Sequence, residues 1–213
     1  QYDFEKDSLL PLHVPTPGID ASAFVTEREW CRSADGTAVP ITVVRHREAQ
    51  RDGTNFLRLT SYGGFGVSVE PRYTAVNAAW LALGGMLAFA HVRGGGEFGA
   101  AWHEAAVKTE RQRAFDDYIA AARHLVAAGY TTTDRLVSRG NSNGGLLVAA
   151  TALQAPDAFG AVFCRAPVLD MLRFPEFGFL ESAKVEYGDP DDPVEGPYLA
   201  RYSPYHNVEA GVR

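Results

Sequence analysis

Cysteine is nearly absent: Cys31 and Cys164 are the only two in 213 residues. Both stand in apolar, strand-like surroundings and read as buried free thiols, which excludes a disulfide framework or a zinc cluster. Long apolar runs are missing as well. No stretch approaches the roughly 20 residues needed to span a bilayer, and the opening residues lack the charged and apolar regions of a secretory signal. The chain opens on Gln1 rather than Met, so the compartment stays open. No run of lysine or arginine occurs and the net charge is -6, which makes nucleic acid and anionic membranes poor partners. Internal repeats, low-complexity tracts and coiled-coil heptads are lacking too.

What is present is a hydrophobic content of 46%, enough for one large core and one domain. Residues 1–21 are Pro-rich and read as an irregular connector, with His13 in a structural role; the domain itself spans 22–213. Runs 24–31 and 39–46 have strand character and are joined through Asp35 and Gly36, a hairpin turn. A third strand at 55–62 stops at Gly63 and Gly64. Helical spacing over 73–83 precedes a continuously apolar run at 86–92, the kind buried in a parallel sheet. Phe115, Tyr118, Ile119, Ala122, Leu125 and Val126 form one helical stripe that Gly129 ends. With a strand at 160–166, the alternation predicts an α/β fold: a mostly parallel, doubly wound sheet, helices on both faces, and an N-terminal antiparallel hairpin. Beyond Asp170, Pro175, Pro190, Pro193, Pro197 and Pro204 punctuate a stretch carrying Glu186, Asp189, Asp191, Asp192 and Glu195. These acids read as a solvated loop; the alternative, a calcium site, does not match EF-hand spacing.

The stretch that organises the chain is 135–150, an apolar strand running through Gly140, Asn141, Ser142, Asn143 and Gly144 into a helix. This is the G-x-S-x-G nucleophile elbow. Reversing a strand into a helix within a few residues strains the central residue and lifts its hydroxyl clear, and glycines on both sides make room. The N-terminus of the next helix then points at the place where an oxyanion would form. Ser142 is the candidate nucleophile; the bland reading is a tight turn with a capping serine.

Two other motifs compete. Gly94, Gly96 and Gly99 satisfy the dinucleotide pattern G-x-G-x-x-G after a strand, but Asp116 and Asp117, at the distance of the ribose-binding acid, fall inside a helix with no strand between. A flexible loop is the better reading. His103 and Glu104 open the zinc motif H-E-x-x-H, which fails at Val107. No metal and no cofactor is expected.

The segments Ser61-Tyr-Gly-Gly-Phe-Gly66, Arg93-Gly-Gly-Gly-Glu-Phe-Gly99 with Trp102 and His103 behind it, 140–148, 169–174 and Tyr202-Ser-Pro-Tyr-His-Asn-Val208 together resemble the prolyl oligopeptidase family of serine peptidases. The resemblance covers about 18–208. It implies an α/β-hydrolase catalytic domain with Ser142 as nucleophile, the backbone N–H of Asn143 as one oxyanion donor and the Tyr62 hydroxyl as the other. Phe65, Val168 and Tyr187 match positions lining the pocket for the residue before the cleaved bond. The family's proline-stacking tryptophan falls at Ala183, which has no flat face, so strict proline preference is not expected unless another aromatic, such as Phe177 or Phe179, fills in.

The order Ser, acid, His expected of this fold is incomplete here. His206 is the only histidine after Ser142, and it stands in a segment that resembles a structural motif rather than the base. The resemblance therefore implies a fragment, with the β-propeller and the C-terminal strands bearing the catalytic Asp and His outside residues 1–213. Three functions compete: a peptidase acting on short peptides, an esterase on the same scaffold, and a catalytically inactive binding module.

Overall fold

The computed structural model describes residues 2–10 and 18–210; the reading of His13 falls outside them. Where the sequence predicts only irregular chain, β1 (Tyr2–Asp3) and β2 (Ser8–Leu9) pair as a small sheet of their own.

The hairpin forms as predicted. Strand β3 (Phe24–Arg32) pairs antiparallel with β4 (Ala38–His46), and the turn is closed by Asp35, whose carboxylate accepts from the Thr37 N–H at 3.0 Å. Strand β5 (Leu57–Thr60) ends earlier than predicted. Its chain leaves the ladder at Ser61, whose hydroxyl donates to the Ala90 carbonyl at 2.7 Å. Helix α1 (Ala75–Ala82) is started by Thr74, which accepts from the Asn77 N–H at 3.1 Å. Strand β6 (Met86–Ala90) is buried along its length, as its unbroken apolar run requires. The short α2 (Ala100–Glu104) and the long α3 (Gln112–Ala127) follow.

Helix α3 ends in a Schellman motif: the Gly129 N–H donates to Val126 O at 3.0 Å and the Tyr130 N–H to Leu125 O at 3.0 Å. Gly129 takes φ +77°, the left-handed region that glycine enters without penalty. Strand β7 (Leu136–Asn141), helix α4 (Asn143–Gln154), strand β8 (Ala161–Arg165), and the helices α5 (Lys184–Tyr187) and α6 (Glu195–Tyr202) complete the order.

The main sheet runs β3-β4-β6-β5-β7-β8, antiparallel from β3 to β6 and parallel from β6 to β8. Alternation sends Ile41, Val43, Leu57, Leu59, Ala88 and Leu136 into the main core with α3 and α4. On the other face Leu87 and Phe89 pack with Leu81 of α1. The Tyr118 hydroxyl, buried in the main core, is satisfied: it donates to Leu59 O at 3.1 Å and lies 2.9 Å from Ser138 Oγ. Burial pushes its phenol well above the usual value, so it stays a donor.

Two expectations need correction. Cys31 is a buried thiol, but Cys164 is only half-buried, because β8 is an edge strand with Val162 and Phe163 exposed. Of the acids Glu186, Asp189, Asp191, Asp192 and Glu195, only Asp191 is exposed as a solvated loop would require; the others are drawn in. Glu186 is 2% exposed, Glu195 accepts from Lys108 Nζ at 2.9 Å and from the Asp189 N–H at 2.7 Å, and Asp192 accepts the N–H groups of Val194 and Glu195 at the start of α6. Cationic partners and unpaired backbone donors draw these carboxylates inward, and neither is visible in local composition.

Candidate active site

Open α/β sheets bind ligands at the carboxyl ends of their parallel strands, and here that edge is where backbone strain gathers. Three non-glycine residues just past β5, β7 and β8 have positive φ: Phe65 (+56°), Ser142 (+55°) and Ala166 (+43°). Each such conformation costs on the order of 1–3 kcal/mol and persists only where its surroundings impose it. Ser142 is imposed upon from both sides. Its N–H donates to Arg165 O at 2.9 Å in the last rung of the β7–β8 ladder, while its own carbonyl accepts from Gly145 and Leu146 in the first turn of α4. Gly140 lets the turn close, since a Cβ there would lie 1.8 Å from Gly144 O; Gly144 lets it approach β5, since its Cβ would lie 2.6 Å from Ser61 O.

Asn143 opens α4, so its backbone N–H has no partner in the helix ladder and is aligned with the positive end of the helix. Its side chain is 1% exposed and joins the elbow to the loop after β5: Nδ2 donates to Tyr62 O at 2.6 Å. The Asn143 Oδ1 accepts from the Tyr187 hydroxyl at 3.0 Å and from Arg111 Nη2. Burial raises the Tyr187 phenol well above its usual value and keeps it a donor.

Of the residues singled out in the sequence, Ser142, Asn143, Tyr62, Phe65 and Tyr187 come together. The Phe65 ring meets Tyr187 edge-on at 5.4 Å and lies 6.5 Å from Tyr62, and Phe174 meets Tyr187 edge-on at 5.3 Å. Val168 is half-buried against the main core and Ala183 is buried in it; core packing rather than any bond to the cluster places both. His206 is held elsewhere, with Nδ1 2.8 Å from Ser203 Oγ and 3.9 Å from Asp170 Oδ1.

Sequence reasoning missed a charged layer beneath this cluster. Glu186 Oε1 accepts from Arg111 Nη1 at 2.9 Å and from the Phe65 N–H at 2.8 Å, and its Oε2 lies 2.6 Å from His103 Nε2. Arg111 is fully buried and also faces the Tyr187 ring at 5.0 Å. The Trp102 and His103 motif was a signal for part of this layer; Arg111 carried none, because Glu110 and Gln112 beside it make it look solvent-facing, and Glu186 carried none, because it stands in an acidic, Pro-rich stretch. The glycine loop at 94–99 is packing: a Cβ on Gly94 would lie 2.7 Å from Gly63 O, and the Gly66 N–H donates to Gly94 O at 3.0 Å. Asp117 is buried and bonded to Arg93 at 2.7 Å, in no position to hold a ribose. Among the described residues no three His, Cys, Asp or Glu side chains converge as metal ligands.

The model of the Prolyl oligopeptidase family matches residues 71–213. A Sinorhizobium fredii protein described as the uncharacterized peptidase y4nA is 46% identical over 209 residues, 98% of this chain and 28% of that protein. A prolyl endopeptidase of Elizabethkingia miricola is 42% identical over 190 residues, 89% of this chain and 27% of the enzyme. Among solved structures, a prolyl endopeptidase superposes with a TM-score of 0.90 at 42% identity, covering 92% of this chain and 29% of its own. A post-proline cleaving enzyme from Rickettsia typhi gives 0.87 at 38%, covering 90% and 28%. The chain thus spans less than a third of the length of these relatives.

Proposed function

The chain belongs to the prolyl oligopeptidase family, and we propose that it carries the nucleophile and the oxyanion hole of a serine peptidase acting on short peptides. One observation carries this reading: Ser142, at φ +55° on a strand-to-helix elbow, is followed by Asn143, whose side chain anchors Tyr62. Ser142 Oγ attacks the scissile carbonyl, a C–O bond forms, and the hydroxyl proton passes to a general base. The oxyanion is taken by the Asn143 N–H and the Tyr62 hydroxyl. On collapse the C–N bond breaks and the amine leaves with a proton. Water then cleaves the acyl-enzyme ester and frees the acid and Ser142.

Phe65, Val168, Tyr187 and Ala183 supply the pocket for the residue before the cleaved bond. Phe65 and Tyr187 give it an aromatic corner. Ala183 supplies no flat surface for a pyrrolidine ring, so proline gains little over other small residues. The same feature favours a second reading, an esterase of broad acyl preference.

The test uses the full-length protein that contains this chain, with one acyl group offered as anilide and as ester and with proline or alanine before the cleaved bond. The peptidase reading expects anilide cleavage with a proline-to-alanine ratio within about tenfold, the scale of one modest apolar contact. Ester cleavage alone moves the assignment to an esterase.

A further inference from the structure

We propose that Glu186, working through Arg111, is a positioning residue that sets both donors of the oxyanion hole from one buried carboxylate. This rests on the function proposed above. The two donors come from separate elements, Tyr62 from the end of β5 and Asn143 from the start of α4, and such donors act only if held before the reaction to within a fraction of an ångström. Glu186 is bonded toward both. Its Oε1 takes the Phe65 N–H at 2.8 Å, inside the loop that Tyr62 opens. The same oxygen takes Arg111 Nη1 at 2.9 Å, and Arg111 Nη2 donates to Asn143 Oδ1. Asn143 Nδ2 then closes the circuit on Tyr62 O at 2.6 Å.

Three features separate this from an ordinary buried ion pair. Phe65 is bonded to Glu186 at φ +56°, a backbone state its side chain disfavours, so the carboxylate holds the loop in a shape it would not choose. Gly64 passes directly over the circuit: a Cβ there would lie 2.5 Å from Asn143 Nδ2, 2.9 Å from Arg111 Nη2 and 3.0 Å from Glu186 Oε1. And the bonds are charge-assisted in a site closed to water, where Arg111, Asn143 and Glu186 are 0%, 1% and 2% exposed. His103, 31% exposed at its side chain, contacts the second carboxylate oxygen and covers it on the solvent side.

The experiment is a double-mutant cycle in the full-length protein, with rates expressed per site titrated by an active-site phosphonate. Tyr62→Phe in the native background is expected to lower kcat by about 10²- to 10³-fold, the usual effect of losing one oxyanion donor. Glu186→Gln, which keeps the shape and loses the charge, is expected to lower kcat by at least about tenfold with KM little changed, and to reduce the Tyr62→Phe penalty to less than about tenfold. Gly64→Ala crowds the same circuit while leaving its charges paired; it provides a second background, with the same reduced penalty expected, should Glu186→Gln not fold. A merely structural carboxylate would change the number of titratable sites but leave the penalty undiminished, and that result overturns the assignment while leaving the function standing. Native protein in which Tyr62→Phe costs nothing overturns the function, and the assignment with it.

Discussion

Gly140 and Gly144 meet face to face across the elbow, so closely that a methyl group on the first would fall 1.8 Å from the carbonyl oxygen of the second. No side-chain rotation relieves a clash with backbone. Gly140→Ala is therefore expected to destabilise the domain by at least about 3 kcal/mol, above the usual overpacking cost. Gly84→Ala is the control: it also has positive φ (+85°) but opens on empty space, and it should cost only about 1–2 kcal/mol. Urea midpoints of the two variants check the difference; equal midpoints would show that the elbow yields.

Acid stability should report on a carboxylate far from the elbow. Glu27 accepts from Arg45 Nη2 at 2.5 Å, Arg51 Nη2 at 2.8 Å and the Tyr130 hydroxyl at 3.1 Å. Chiefly the Arg45 hydrogen bonds, opposed by burial and assisted by Arg51 and Tyr130, lower its pKa from 4.5 to about 2. A depressed folded-state pKa contributes stability that is complete above the unfolded value and lost as pH falls through the folded one. The stability gap between wild type and Glu27→Gln should thus be widest above pH 4.5 and close as pH falls toward about 2. Thermal melts across that range measure it, and a gap independent of pH would contradict the pairing.

Cys31 should be chemically silent in the native protein. Burial, and after it the Asp117 charge, push its thiol up to about 12, so almost no thiolate exists near neutral pH. Iodoacetamide at about pH 8, half a unit below an ordinary thiol, is expected to leave Cys31 unmodified until denaturant is added. Peptide mapping that finds Cys31 alkylated in the native state would mean that the β3–β4 hairpin opens readily.

The elements with a clean period were legible in the sequence: the hairpin about Asp35 and Gly36, the stripe of α3 stopped at Gly129, and the strand, turn and helix around Ser142 all stand where the pattern put them. Glu186 was not legible, because its partners Arg111 and Phe65 are 75 and 121 residues away and an acidic, Pro-rich neighbourhood carries no trace of them. The early end of β5 was hidden for the same kind of reason: Ser61 trades the ladder for a bond to Ala90 on the adjacent strand. Periodicity reports what a residue does with its sequence neighbours, while a hydrogen bond that closes over many residues is decided by the fold.

The most direct measurement is labelling of the full-length protein by a fluorophosphonate, with Ser142→Ala and Tyr62→Phe alongside. An activated serine in a formed oxyanion hole should react rapidly and at Ser142 alone, with labelling abolished in Ser142→Ala and slowed by about 10²-fold or more in Tyr62→Phe. A folded native protein that takes up no label, or takes it equally with and without Ser142, would contradict the account and leave a binding module on a hydrolase scaffold.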